Sequence, residues 1–209
     1  MKANKVNWKA NQAMTTSWYL RRGPYASLTN EELLTFIIGS EGVKALYRGV
    51  LAPLFSPSHQ VPESNPLHAA RELLKRALAE QLTHGPVLSS PDAVKDYLRL
   101  HFLGQEVESF VVLFLDSRNC LIAAEELSRG TLTRTAVYPR EVVKRALRWN
   151  AGGVIFSHNH PNGDATPSAT DEALTSRLRE ALSHVEVNVL DHFVVAGGEA
   201  VSFVELGLI

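Results

Sequence analysis

The sequence predicts an α/β fold, in which a mixed sheet is flanked by helices and a small helical region precedes it. Short apolar runs of strand-forming residues, such as 109–115 and 153–156, alternate with segments whose apolar residues recur every three or four positions. This alternation begins only after Gly85-Pro86, and the preceding residues show helical patterns. A chain of 209 residues is long enough for one good-sized domain and a small addition. We therefore predict a small helical region at 1–86 and a larger α/β domain at 87–209.

Two helices are predicted before this boundary. Thr29-Asn30-Glu31-Glu32 has the order of a capping box, in which the first and fourth side chains each bond the other residue's backbone N–H. Gly39 is expected to end this helix. A stretch rich in proline and serine follows at 53–62, and Asn65-Pro66 then begins a second helix that Gly85 ends.

The larger domain is expected to contain helices and strands in mixed order, which suits a layered α/β architecture. Helices begin at Ser90-Pro91, Pro139 and Ser168, since serine caps helices and proline suits their first turn. In the helix from Pro139, Leu147 is expected to face the core. Strands are predicted at about 109–115, 120–127, 132–138, 153–156, 187–196 and 200–204.

Charge and composition restrict the classes of function. Residues 1–86 hold 10 Lys+Arg and 6 Asp+Glu, a net charge of +4, whereas residues 87–209 hold 11 and 16, a net charge of −5. The larger domain is therefore acidic and offers no obvious phosphate-binding face. One cysteine excludes an internal disulfide framework, and no apolar stretch approaches the roughly 20 residues of a membrane span. The N-terminus lacks the apolar core of a signal peptide, so we expect a cytoplasmic protein without membrane association.

The segment His158-Asn159-His160-Pro161 carries the clearest chemistry. Side chains two residues apart on a strand project to the same side, and the apolar run 153–156 can deliver both imidazoles from a strand end. Asp171 lies eleven residues after His160, so the chain can fold back and add a carboxylate. Two imidazoles and one carboxylate leave one tetrahedral position for water, which is typical of catalytic rather than structural zinc. His158, His160 and Asp171 are thus the predicted Zn²⁺ ligands.

Ser168 and Asp171 also have a purely structural interpretation. A serine N-cap followed three residues later by an acidic residue is a helix start, with Pro167 just outside the helix. This interpretation explains both residues without a metal. It does not explain two histidines at the end of a buried strand, so the conjunction of these residues, and not any single one, indicates the metal site.

Other zinc chemistries fit the sequence less well. Deaminases of the His-x-Glu type also need a Pro-Cys-x-x-Cys pair, and this chain has only Cys120. The helical His-Glu-x-x-His protease motif is absent from the sequence. These two classes of zinc hydrolase are therefore disfavoured.

The pattern resembles the JAMM (MPN-plus) metalloprotease motif, which reads His-x-His-Pro, six residues, Ser, two residues, Asp. Its fixed positions are occupied by His158, His160, Pro161, Ser168 and Asp171. The resemblance extends from roughly residue 87 to the C-terminus and is greatest to the RadC-type branch, which includes UPF0758-like proteins. It implies the cytidine-deaminase-like architecture of MPN domains. It also implies a zinc-dependent metalloprotease that cleaves a peptide or isopeptide-like amide of a peptide or protein substrate through a zinc-bound water.

The resemblance also implies catalytic roles. In the resembling families a glutamate at the start of a strand is the general base, and Glu108-Ser109-Phe110 fits the RadC-type pattern Glu-x-Phe. Glu106 is the alternative, because it lies two residues earlier and points the same way if the strand begins that soon. Both glutamates could instead be solvated charges at a strand entrance. Ser168 is expected to donate a hydrogen bond to the oxyanion, as its family counterpart does.

The N-terminal region departs from the RadC-type pattern. Such proteins usually carry a helix-hairpin-helix module whose glycine hairpin holds DNA phosphate, and residues 28–34 resemble its first helix. Where the hairpin should stand, residues 56–62 are rich in proline, which lacks a backbone donor. We therefore expect a degenerate module with weak, salt-dependent DNA association confined to residues 1–86. The alternative function is a DNA repair or recombination accessory protein or metal-dependent nuclease, and a third is a binding scaffold without turnover.

Overall fold

The computed structural model describes residues 28–49, 54, 66–130 and 137–209. The chain divides into two compact units, Met1–Leu51 and Ala52–Ile209. Over the described ranges, none of the helices combines the length and the apolar character needed to cross a membrane.

The first unit contains helix α1, Asn30–Leu46, which begins with the predicted capping box. The Thr29 hydroxyl accepts from the N–H of Glu32 at 3.2 Å, and a carboxylate oxygen of Glu32 accepts from the N–H of Thr29 at 2.7 Å. The prediction that Gly39 ends the helix is wrong. Gly39 has a φ of 71°, so it interrupts the helix with a kink, and helical geometry resumes after it as far as Leu46.

The second unit is an assembly of five strands and four longer helices in its described part. The helices are α2 (Pro66–His84), α3 (Pro91–Phe102), α4 (Pro139–Arg148) and α5 (Ala169–Ser183), with a 3₁₀ turn at Val87–Ser89. The strands are β1 (Ser109–Leu115), β2 (Leu121–Arg129), β3 (Gly153–Asn159), β4 (Asn188–Ala196) and β5 (Glu199–Ser202). The strand predicted at about 132–138 and the loop at 53–62 lie mostly outside the described residues.

The strands form one sheet in the order β2-β1-β3-β4-β5. β1 pairs antiparallel with β2 and β3, and β4 pairs antiparallel with β5. β3 and β4 run parallel, joined by α5 as the crossover helix. The sheet is therefore mixed, and the predicted α/β fold with a helix-flanked mixed sheet is confirmed.

Both faces of the sheet are covered. Odd-numbered residues of β1 share one apolar cluster with α3, which contributes Val94 and Leu98. Even-numbered residues of β1 share the other cluster with α4 and α5, which contribute Val142 and Leu178. This alternation follows from the two-residue period of a strand, and it leaves β1 and β3 buried along their whole length. The expectation for Leu147 is wrong, since this α4 side chain is 57% exposed.

Helix α2 belongs to the same compact unit as the sheet. Its Arg71 donates hydrogen bonds to the carbonyl oxygens of Leu100 (3.2 Å) and His101 (2.8 Å), which lie in the last turn of α3. Carbonyls in the last turn of a helix lack donors within the helix, so Arg71 helps to satisfy the C-terminus of α3. The division of the chain into domains at residue 86 stays a prediction.

Candidate metal centre

The candidate site is built where β3 ends. Within the sheet, His158 is the last β3 residue paired with β1, opposite Phe110. The backbone N–H of His160 donates to the carbonyl of Val195 in β4 at 2.9 Å, so the chain follows β4 and leaves β1. The imidazoles of His158 and His160 therefore lie at the end of β3, where β1 and β3 separate.

Asp171 reaches the two imidazoles from the first turn of α5. The predicted capping box is present: the Ser168 hydroxyl accepts from the N–H of Asp171, and the Asp171 carboxylate accepts from the N–H of Ser168 at 2.8 Å. Oδ1 of the same carboxylate lies 3.3 Å from Nε2 of His158. Its Oδ2 lies 3.5 Å from Nε2 of His160. The structural and the metal-binding interpretations of Asp171 are therefore compatible, because one carboxylate can cap the helix and face the histidines.

The donor atoms have the spacing of a metal site. His158, His160 and Asp171 each offer one ligand atom, and these atoms lie within 4.8 Å of one another. The two Nε2 atoms are 3.0 Å apart. The edge of a tetrahedron with ligand distances of roughly 2.1 Å is about 3.4 Å, close to the observed separations of 3.0–3.5 Å. Two imidazoles and a carboxylate are also the ligand types that zinc accepts. The three residues thus fit a zinc ion.

The hydrogen bonds of the histidine rings leave both Nε2 atoms directed at the site. Nδ1 of His160 lies 2.8 Å from the carbonyl oxygen of Asp164, which can only accept, so Nδ1 carries a proton. Nδ1 of His158 lies 2.9 Å from Nε2 of His192, a buried ring on β4. His192 in turn lies 2.6 Å from the hydroxyl of Thr175 in α5. These outer contacts orient the imidazoles so that Nε2, and not Nδ1, faces the predicted metal.

The pKa values of Asp171 and His160 are shifted because these side chains lie close together. Burial acts to raise the pKa of Asp171, but the neighbouring imidazoles of His158 and His160 outweigh it and lower that pKa far below its usual value. A hydrogen bond to Asp171 raises the pKa of His160 above its usual value, against the opposing effect of burial. A metal cation bound between these side chains would compete with the proton of His160 for the carboxylate.

Asn159, between the two histidines, bridges the gap that opens beside β1. Its Oδ1 accepts from the backbone N–H of Ser109 at 2.8 Å, and its Nδ2 donates to the carbonyl of Val107 at 3.0 Å. A carboxamide has the donor and acceptor of a peptide group, so the side chain continues the ladder where the two backbones separate. Val107 and Ser109 flank Glu108, and Asn159 thus fixes the backbone of Glu108 beside the site.

Glu108 and Ser168 line a cleft of about 330 Å³ together with His160, Pro161 and Asn162. The charge of Glu108 acts on His160, where it contributes to the raised pKa. The Ser168 hydroxyl donates to Asp171 at 2.6 Å, so its proton is committed to the capping box in this arrangement. Glu106 is exposed.

The sequence indicated the residues that converge and missed some that hold them in place. His158, His160 and Asp171 come together, with Glu108 and Ser168 on the adjoining cleft. No role was predicted for Asn159 or Thr175. Thr175 lies four residues after Asp171, and this helical spacing puts both on one face, which is the signal that could have identified it.

Comparison with known proteins gives a match to the RadC-like JAB domain over residues 88–208, more than half of the chain. A UPF0758 protein of Polaromonas sp. (strain JS666) is 49% identical over an alignment of 209 positions, and the alignment covers 91% of this chain and 93% of the relative. A UPF0758 protein of Nitrosomonas europaea is 46% identical over 203 residues, 88% of this chain and 91% of the relative. A UPF0758 protein of Acidovorax sp. (strain JS42) is 57% identical over 143 residues, 68% of this chain and 60% of the relative.

Proposed function

The chain belongs to the RadC-like JAB domain family, and we propose that it is a zinc-dependent hydrolase that cleaves a peptide or isopeptide-like amide. One observation carries the proposal. The ligand atoms of His158, His160 and Asp171 converge beside a cleft that also holds the carboxylate of Glu108. Three protein ligands leave a fourth position free, and a carboxylate beside that position can serve as a general base.

Zinc, when bound, supplies a Lewis acid that polarises the scissile carbonyl and makes water a nucleophile near neutral pH. Glu108, on the cleft side of His160, then accepts a proton from the water and delivers it to the leaving amine. Asn159 holds the backbone on both sides of Glu108. Glu108 lines the cleft beside His160, whereas Glu106 is exposed, and this difference supports Glu108 as the base.

Ser168 is proposed to assist through its hydroxyl, which lines the same cleft. Its proton is donated to Asp171 at 2.6 Å. To stabilise an oxyanion, the hydroxyl must rotate away from this carboxylate while the backbone N–H of Ser168 keeps its bond to Asp171. The capping box therefore survives the rotation, and Ser168 can contribute to both helix and reaction.

The charge of the cleft favours an amide over a phosphodiester substrate. Among the described residues that line it, Glu108 is the charged side chain apart from His160, and there is no lysine or arginine. Proteins that act on nucleic acid neutralise phosphates with such cations. A carboxylate at this position would repel a phosphodiester, whereas a neutral peptide carbonyl is not repelled.

The experiment that tests the proposal uses the full chain and three kinds of substrate. Zinc-loaded protein is incubated with an extended peptide library, an isopeptide-linked protein conjugate and single- and double-stranded DNA. We expect cleavage of a peptide or isopeptide bond that is lost on zinc removal and in Glu108→Gln, with Glu106→Gln as the matched control. Cleavage of DNA alone would replace the proposal by the nuclease alternative. Zinc binding without turnover on any substrate would favour the scaffold.

A further inference from the structure

We propose that Thr175 and His192 are positioning residues that determine which nitrogen of His158 is free to bind the metal. The proposal concerns the same metal site, and it rests on the proposed function because it takes His158 to be a zinc ligand. It is carried by a chain of three hydrogen bonds behind the ligands, among residues that are fully or almost fully buried.

The chain starts at the hydroxyl of Thr175, which has a single proton. Oγ1 of Thr175 donates to the backbone carbonyl of Asp171 at 2.7 Å, and a carbonyl can only accept. The proton of the hydroxyl is therefore committed. Nδ1 of His192 lies 2.6 Å from the same Oγ1, so the hydroxyl oxygen must accept there and Nδ1 of His192 must carry a proton.

The position of the His192 proton in turn determines the tautomer of the metal ligand His158. Its ring is fully buried among Phe110, Phe156 and Phe203, and no hydrogen bond to a carboxylate is found for its ring within the described part of the chain. A ring in such surroundings is neutral, since burying an unpaired charge is costly. With a proton on Nδ1, its Nε2 has a free lone pair. It can only accept from Nδ1 of His158, at 2.9 Å.

The consequence is a defined tautomer of His158. With its proton on Nδ1, the lone pair of Nε2 faces Asp171 and His160, where a metal would bind. The opposite tautomer would place a proton at that point. One threonine hydroxyl thus links the backbone of Asp171 on α5 to the ring of His158 on β3, two ligands from different elements.

Substitutions of Thr175 separate this role from packing. Thr175→Val keeps the shape and removes the hydroxyl, so Nδ1 of His192 loses its acceptor. The His192 proton is then expected on Nε2, which forces the His158 proton onto its own Nε2. Zinc affinity should fall about 10–100-fold, the usual effect of losing an outer contact to a metal ligand. Thr175→Ser restores the hydroxyl and should restore affinity.

The chain offers a matched control in Thr35. Its hydroxyl donates to the carbonyl of Glu31 at 2.7 Å, the same bond within a helix as that of Thr175, but on an exposed face of α1. Thr35→Val therefore removes an equivalent hydroxyl and leaves the hydrogen bonds between Thr175, His192 and His158 unchanged. Its zinc affinity should equal that of the wild type.

Two measurements on the full chain test the inference. The first is the ¹⁵N NMR spectrum of the histidines in zinc-free wild type, in which His158 should carry its proton on Nδ1 and have a bare Nε2. The second is Zn²⁺ affinity by competition with a chelator. A proton on Nε2 of His158 in the wild type, or Thr175→Val affinity equal to that of Thr35→Val, overturns the proposal. Wild type that binds no zinc refutes the proposed function instead, while the zinc-free spectrum, which needs no variant, still decides the tautomer.

Discussion

Asp171→Asn separates the two roles of one side chain. The carboxylate caps α5 through Ser168 and faces both histidines at 3.3 and 3.5 Å. Asparagine can still accept from the N–H of Ser168, but it loses the charge and is a poorer zinc ligand. Glu32→Gln is the matched control, because Glu32 closes the equivalent capping box on Thr29 at 2.7 Å.

The expected loss in the free energy of unfolding differs with and without zinc. Loss of the charge at a helix N-terminus costs about 0.3–1 kcal/mol, and this applies to both variants. Loss of a ligand should weaken zinc at least as much as loss of an outer contact, roughly 100-fold. At a zinc concentration of about 100 times the wild-type Kd, zinc stabilises the wild type by about 2.7 kcal/mol. The same concentration stabilises Asp171→Asn by about 0.4 kcal/mol.

The assay is equilibrium unfolding in chelator and in zinc, combined with zinc affinity by chelator competition. Glu32→Gln should keep the full zinc-dependent stabilisation, and Asp171→Asn should lose most of it. If Asp171→Asn binds zinc as tightly as the wild type, Asp171 is a helix cap and not a ligand, and the reasoning fails.

The remaining predictions concern the base, its support and the effect of pH. Glu108→Gln should retain zinc and lower the hydrolysis rate about 10²–10⁴-fold, whereas Glu106→Gln should not; equal rates for the two variants would contradict the assignment. Asn159→Ala leaves the buried N–H of Ser109 and the partly buried carbonyl of Val107 unpaired and should cost roughly 1–3 kcal/mol by denaturant unfolding; an unchanged midpoint would contradict this. The raised pKa of His160 means that its contribution to zinc-free stability is complete below pH about 6.5 and is lost as pH rises through the folded-state pKa. The Tm in chelator should therefore fall with rising pH over that window in the wild type but not in His160→Gln, and parallel curves would refute it.

Local patterns were sufficient to predict most of the fold. The two-residue and helical periods indicated β1, β3 and α5, and capping signals placed the starts of α1 and α5. Gly39 misled the prediction because glycine is as compatible with a kink as with a helix end. Leu147 misled it because an apolar residue near a buried helix face need not itself be covered.

The ligands of the site were predictable, and the groups that support them were less so. The spacing of His158, His160 and Asp171 is a local signal, and it was sufficient. The partners of Asn159 lie about fifty residues earlier in the chain, and His192 meets His158 only because β3 and β4 are neighbours. Such contacts depend on strand order, which no local pattern contains.

The central claim is most directly tested by an anomalous-diffraction structure of the zinc-loaded full chain. We expect one zinc per chain, bound by Nε2 of His158, Nε2 of His160 and the Asp171 carboxylate at about 2.0–2.2 Å, with Glu108 beside the fourth position. A zinc peak elsewhere, or any of the three side chains turned away from the ion, would contradict it.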